Sequence, residues 1–215
     1  MTIKNTPSLR EKKHAWTRKN ILDAFLEKLK TKNIQDISIR ELCETAQISP
    51  GTFFNYFSHK QELLAYFIWL WRVKATQQIE QEKTPTKAIE IIFTAAAEDL
   101  FCYHHNINEI IACLAPGATA TEPQKISHAK TTQTFFDQNK TNHSASQNLD
   151  ATLLTLIKKI IKNNKSRKNV SEETLLLMVQ TIFFGVPLMI KKNSDKIKKS
   201  YQQLLAKTWH CLELQ

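Results

Sequence analysis

Glycine and proline are scarce here, 3 and 6 among 215 residues. An all-β fold needs both at its many turns, so the composition argues against that architecture. Three glycines also leave little room for a phosphate-cradling glycine loop, and none is found. The sequence has no HExxH stretch and no Ser/His/Asp elbow. His105 and Glu109 stand four residues apart, with Cys102 and Cys113 nearby, but no third ligand arrives at recognisable spacing. No catalytic residue, metal or cofactor is therefore expected. Cys43, Cys102, Cys113 and Cys211 form no CxxC pair. Each lies in an apolar, helix-like context and reads as a reduced core residue of a cytoplasmic protein. No secretory apolar region opens the chain, whose first apolar cluster begins near Ile21.

What is present is a helical alphabet. Leu, Ile, Ala, Lys, Glu and Gln dominate, and the expected fold class is all-α, with length enough for one mid-sized domain or a small domain joined to a larger one. Thirty Lys and Arg oppose 20 Asp and Glu, a net charge of +10 with a pI near 9.4. Such a surplus suits a polyanion, either nucleic acid or an anionic membrane surface. Lys4, Arg10, Lys12, Lys13, Arg18 and Lys19 crowd the first 20 residues against one acid, Glu11. That stretch reads as a phosphate-facing arm or a solvated charged tail.

Leu22, Phe25, Leu26 and Leu29 recur at helical spacing, predicting an amphipathic helix over about 9–32 with Lys19, Asp23, Lys28 and Lys30 opposite. Ser38-Ile39-Arg40-Glu41 reads as a capping box opening a short helix that turns Ile39, Leu42, Cys43 and Ala46 inward. That helix stops near Gln47-Ile48. Ser49 as N-cap and Pro50 at the first helical position start another, running to about Tyr56. Ser58-His59-Lys60-Gln61 reads as a further box before a long helix burying Leu63, Leu64, Phe67, Leu70 and Trp71. Later helices are expected from Pro85, over 107–114, around 122–138, through Leu153 to Ile161, and over 171–191 and 195–213.

Two short helices joined by a three- or four-residue turn, between longer apolar helices, have the geometry of a DNA-reading module. Ser49, Pro50, Gly51 and Thr52 give the second helix a start of small residues and exposed amides, suited to base edges or a phosphate oxygen. The run from Asn20 to Leu64 closely resembles the TetR family of repressors, above all in Ser49-Pro50-Gly51-Thr52-Phe53-Phe54, Tyr56-Phe57 and Lys60. This resemblance implies a helix-turn-helix domain at 1–60 and a helical ligand-binding and dimerisation domain at 61–215. It also implies a homodimer that binds double-stranded operator DNA as a repressor and is released by a small, mainly apolar effector. Arg40 matches a position that in some members reaches a base or phosphate. Pro50, Gly51 and Thr52 match positions facing the major groove, and Tyr56 and Lys60 match phosphate anchors. Ser49 and Asn55 complete the expected DNA-binding set. The sequence departs from the family twice: Gln47 stands where glycine is frequent, and Phe54 replaces a phosphate-binding tyrosine. Phe53 and Phe57 read as core.

From Leu175 to Val186 apolar residues wrap the whole helix, whereas Ile197, Tyr201, Leu204, Leu205 and Leu212 mark one side of the last. A two-fold interface through about 171–213 accounts for both patterns. Thr174–Ile190 reaches the short limit for a membrane span, but Gln180, Thr181 and Pro187 favour burial within protein, so no membrane is expected. Trp71, Phe93, Phe101, His105, Phe135, Phe136 and Met178 are candidates to line an effector cavity, with ordinary core packing as the alternative. Glu98, Asp99, His104 and Glu109 are the polar residues that could orient the effector. Two rival readings are a helical DNA-binding protein without effector response and a helical metal-binding protein.

Overall fold

Ser8, Ser38 and Ser49 each precede a helix, and each accepts a hydrogen bond from the amide three residues on. These caps set the boundaries of the first three helices in the computed structural model, which describes residues 8–115, 149–163, 170–190 and 193–211. The described residues form nine α-helices and no strand, as the composition predicts. They are α1 (Leu9–Leu29), α2 (Ile39–Ala46), α3 (Pro50–Tyr56), α4 (Lys60–Ile79), α5 (Pro85–Asp99), α6 (Ile107–Leu114), α7 (Leu149–Asn163), α8 (Glu172–Ile190) and α9 (Ser194–Cys211). Single 3-10 turns lie at Ile34–Asp36 and His104–Asn106. The expected helix at 122–138 and loop at 139–148 lie outside the described residues, as do Lys4, Phe135, Phe136 and Leu212.

Two compact units divide within α4, between Phe67 and Ile68. In the first, Ile21, Leu22, Phe25 and Leu29 of α1 are buried, as are Leu42 and Cys43 of α2 and Phe53 of α3. α1 packs on α2, and α2 on α3. Ser8 and Glu11 form a full capping box that has the same S-x-x-E signature as Ser38 to Glu41. At Ser38 the Glu41 amide donates to the serine hydroxyl at 3.1 Å, and the Ser38 amide acts in turn on the Glu41 carboxylate. The Glu41 carboxylate is held chiefly by Lys32 at 2.7 Å, with Lys28 at 3.9 Å. The cap of α4 lies one residue later than Ser58 to Gln61 suggests. Its amide donor is Glu62, which bonds His59 Nδ1 at 3.3 Å, while the Glu62 carboxylate accepts from the Ser58 amide at 2.6 Å. The reason is register: α4 starts at Lys60, so its third residue is Glu62.

Between α2 and α3, Gln47 takes the left-handed conformation, φ 53° and ψ 48°. It is the one non-glycine residue with positive φ among those described. The turn forms without glycine, at a strain of about 1 kcal/mol.

In the second unit α9 packs on α5 and α8, α7 on α5 and α8, and α6 on α8. Phe93, Phe101, Phe183 and Tyr201 make its aromatic centre, with ring centroids 4.8–6.1 Å apart. The burial of α4 is broader than one stripe. Tyr66, Ile68, Trp69 and Val73 are buried with Leu63, Leu64 and Trp71, whereas Phe67 and Leu70 are half-buried. The cysteines depart further from expectation. None of the four is in a disulfide, but only Cys43 is core; Cys113 is half-buried and Cys102 and Cys211 are exposed. Cys102 follows the end of α5 and Cys211 is the last residue of α9, so neither lies on a packed helix face.

Pro187 lies inside α8 and has no amide hydrogen to offer the carbonyl four residues earlier, that of Phe183. The buried Tyr201 hydroxyl of α9 donates to that same carbonyl at 2.5 Å. Burial raises the Tyr201 pKa well above the phenolic range, so the hydroxyl stays a donor. Removing it in Tyr201→Phe should lower the unfolding free energy by roughly 1–3 kcal/mol in urea denaturation. Adding Pro187→Ala should recover part of that loss, because the restored amide can bond the orphaned carbonyl. An equal loss in both backgrounds would show that the hydroxyl is not replacing the helical bond.

Candidate nucleic-acid interface

α3 is held from one side by aromatic packing. Phe53 is fully buried, its ring 6.1 Å from that of Phe57, which in turn meets Tyr66 at 5.8 Å. Phe53 and Phe57 are core, as the sequence suggests, and Phe54 is 48% exposed. With Phe53 facing inward, Ser49, Pro50, Gly51 and Asn55 are left exposed, and Thr52 and Tyr56 half-buried. The six belong to one cap and one helix, so the expected contact set is contiguous. The Ser49 hydroxyl accepts from the Thr52 amide at 3.1 Å and lies 2.9 Å from the Thr52 hydroxyl.

Gly51 has no steric reason of its own to be glycine. A Cβ added there would meet only Ser49 Oγ, at 3.8 Å, an ordinary contact. Helical glycine is less stable than alanine by up to about 1 kcal/mol. The bare position is therefore not required by this chain's packing.

The two flanking cations behave differently. Arg40 of α2 is exposed, and its Nε bonds Glu44 one turn later at 2.9 Å. Lys60 at the start of α4 donates to the carbonyls of Gln35 at 2.6 Å and Ile37 at 2.9 Å. Those bonds tie α4 to the segment entering α2 and explain a lysine placed against the positive end of its own helix.

The basic arm of α1 splits by face. Arg10, Lys12, Lys13 and Lys19 are exposed, and Lys19 pairs with Asp23. Arg18 is buried, its guanidinium 5.6–5.9 Å from the ring centres of Tyr56, Phe57 and Tyr66. His14, which the sequence reading passed over, stacks on Tyr56 with centroids 4.3 Å apart. The i, i+4, i+8 spacing of Arg10, His14 and Arg18 was the available signal.

The effector candidates scatter. Trp71, Phe93 and Phe101 are buried, and Phe93 and Phe101 both meet Phe183. His105 is exposed against His104, and Met178 is 38% exposed on α8. Glu98 is paired with Lys198, and Asp99 with Lys74 at 2.8 Å. Asp150, which the sequence reading missed, accepts from Gln180 at 2.8 Å in a half-buried position between α7 and α8. Burial raises its pKa, opposed by Gln180 and by the charge of Arg72. Its only sequence signal was an acid at the start of an apolar helix. No group of three or more His, Cys, Asp or Glu that could hold a metal occurs among the described residues.

The sequence model of the family described as "Bacterial regulatory proteins, tetR family" matches residues 21–67. That span runs from mid-α1 to the division within α4. Salmonella enterica GusR is 13% identical and superposes with a TM-score of 0.56, over 92% of this chain and 95% of that one. A TetR transcriptional regulator from Rhodococcus sp. RHA1 gives 15% identity and a TM-score of 0.48, over 90% and 97% of the two chains. Thermus thermophilus FadR, a TetR family transcriptional repressor solved with lauroyl-CoA, gives 18% and 0.48, over 88% and 91%. No curated protein matches the sequence. The likeness to GusR is one of fold and extends along the chain; the family match is carried by the first unit.

Replacing Lys60 by Met should cost about 1–2 kcal/mol of unfolding free energy, since two carbonyls of the turn before α2 lose a charged donor. Thermal melts of the variant against wild type check it, and an unchanged melting temperature would mark these bonds as energetically idle.

Proposed function

We propose that this chain, whose residues 21–67 match the TetR family of bacterial regulators, is a dimeric repressor released from operator DNA by a small effector. In this reading residues 1–60 bind DNA, and residues 61–215 dimerise and hold the effector. The observation that carries it is the exposed side of α3, where Gly51 is bare without an internal need for bareness. A helix that must approach a groove wall closely has use for that; a helix facing only water does not. Arg40, Ser49, Pro50, Thr52, Asn55 and Tyr56 are the remaining proposed contacts, joined by Lys60 through the one N–H that its bonds to the Gln35 and Ile37 carbonyls leave over.

Dimerisation is supported by α8. Leu175, Val179, Phe183 and Val186 bury one side, while Leu177 at 65%, Met189 at 85%, Met178 and Leu188 remain exposed. Length and composition would also let Glu172–Ile190 cross a membrane. Pro187 and the Gln180–Asp150 bond are better suited to a helix packed in a bundle. A two-fold partner covers the exposed side and can set two recognition helices about 34–36 Å apart, one turn of DNA.

The effector in this reading is mainly apolar, in keeping with the aromatic side chains of the second unit, and the half-buried Asp150 and Gln180 suit one polar end. Release follows if the effector moves α4, which runs from one unit into the other. It can shift the equilibrium only by its affinity difference between the free and DNA-bound states.

The deciding experiment is a fluorescence-anisotropy titration against DNA flanking the chain's own coding region, over a salt series. Specific binding should exceed that to random duplex by ~10³ or more and fall steeply with salt. Binding no tighter than to random duplex would remove that operator. Gly51→Ala should separate fold from function. The variant is expected to melt at the same or a higher temperature, with up to about 1 kcal/mol of added stability, yet to bind the operator at least several-fold more weakly. Tight binding by the variant would defeat the close-approach argument. Leu177→Glu with Met189→Glu should give monomers by light scattering in detergent-free buffer, with the helical circular dichroism signal retained. A wild type that is already monomeric, or that needs detergent, would show that something else covers α8.

A further inference from the structure

We propose that Arg10, His14 and Tyr56 form a DNA backbone-phosphate subsite that works when the His14 imidazole is protonated, so that DNA is held more tightly in mild acid than in mild alkali. The inference rests on the DNA-binding reading above and adds to it a site on α1.

Three observations converge on the same corner of the first unit. Arg10 and His14 are exposed one helical turn apart, so their side chains share a face of α1. The His14 ring lies against that of Tyr56, centroids 4.3 Å apart and planes tilted by 37°. One turn further along, the Arg18 guanidinium sits 5.9 Å from the centre of the same tyrosine ring. Tyr56 is thus braced from α1 by an imidazole and a buried cation.

The electrostatics of the corner are unbalanced. The charged groups acting on His14 are Arg10 and Arg18 of its own helix, and Tyr56 faces it from α3. Glu62 of α4 acts on Arg18, and no carboxylate among the described residues acts on His14. Arg18 lies over three aromatic rings and has no carboxylate at ion-pair distance among the described residues. Partial burial, then Arg18, then Arg10 push the His14 pKa below its ordinary value, so the free protein carries it neutral near pH 7.

A phosphate beside Arg10 and Tyr56 supplies the missing negative charge. It raises the imidazole's pKa in the complex, and the imidazolium returns a charge-assisted N–H bond to a phosphate oxygen. The sign follows from linkage. Because the pKa is higher in the complex than in the free protein, the gain in affinity is complete below the free-state value. It is lost as pH rises through the value in the complex. Phosphate contacts carry no sequence information, so the effect must appear on any duplex.

The test is therefore an anisotropy titration of a random-sequence duplex from about pH 5.5 to about pH 8 at constant ionic strength, a range that spans an imidazole's titration. Wild type, His14→Gln and His14→Lys are compared, each with its fold checked by thermal melting. Wild type should bind on the order of tenfold tighter at the acid end, the linkage of a one-unit rise in pKa. Its dependence of log K on log salt should steepen by about 0.9, one phosphate's worth. His14→Gln should be weak and flat across the range, and His14→Lys tight and flat. Equal pH dependence in wild type and His14→Gln would overturn the proposal and move the effect to another histidine, such as His59 before α4. Salt-sensitive binding that ignores pH in wild type would also overturn it, while leaving the regulator reading intact. Absence of DNA binding at every pH would remove both.

Discussion

Helices of eight and seven residues do not persist alone in water, because nucleation costs more than so few hydrogen bonds return. The pair α2–α3, the proposed DNA reader, exists only because other parts of the first unit hold it. Leu42 and Cys43 on one helix and Phe53 on the other are buried with Ile21, Leu22, Phe25 and Leu29 of α1. Ser38 and Ser49 supply the amide partners that each short helix would otherwise lack. Lys60 fastens the start of α4 to the carbonyls just before α2. Because these side chains do the holding, the outward side of α3 beyond its Ser49 cap is not needed for packing. Small residues can stand there, and a helical glycine at a cost of up to about 1 kcal/mol.

The second unit solves a different problem with one helix. α8 is apolar on nearly every side, so it must be covered on more than one face. Its inner stripe is fixed to α9 by aromatic contact and by the Tyr201 hydroxyl on the Phe183 carbonyl. A proline in the last turns of a helix ordinarily leaves a carbonyl wanting. Here the neighbouring helix supplies the donor, so Pro187 is accommodated with its carbonyl satisfied.

Much of this was legible in the sequence, because the relevant signals are local. Ser-x-x-Glu before an apolar run, Ser-Pro at a helix start, and apolar residues at three- and four-residue spacing each depend only on near neighbours. They located α1, α2, α3 and α5 to α9 closely. What escaped was set by packing across the chain. Arg18 looks like any other basic residue of the arm until the rings of Tyr56, Phe57 and Tyr66 are seen around it. Nothing local announces that the Lys60 ammonium reaches the carbonyls of Gln35 and Ile37. Cys102 and Cys211 look apolar by company, yet each stands exposed at a helix end. The positive φ at Gln47 was half legible, since only comparison with a glycine-bearing pattern marked the position. His14 carried a helical spacing with two arginines, but nothing local announced that Tyr56 would lie across it.

The same distinction governs how the net charge of +10 should be understood. Of the cations in the first unit, Arg18 is buried under aromatic faces and Lys60 is bonded to backbone. Lys32 is engaged by Glu41, with Lys28 close by. Lys19 and Arg40 sit in exposed i, i+4 pairs with Asp23 and Glu44, which are weak and screened, so either cation can exchange its carboxylate for a phosphate. Arg10, Lys12 and Lys13 stand exposed on α1. A count of basic residues therefore overstates the phosphates this unit can neutralise. The cations that can leave their present partners cheaply are the ones on the outer faces of α1 and α2. Positive charge for a phosphate backbone is therefore concentrated on those two helices, while α3, which carries no basic residue, offers hydroxyls, amides and close approach.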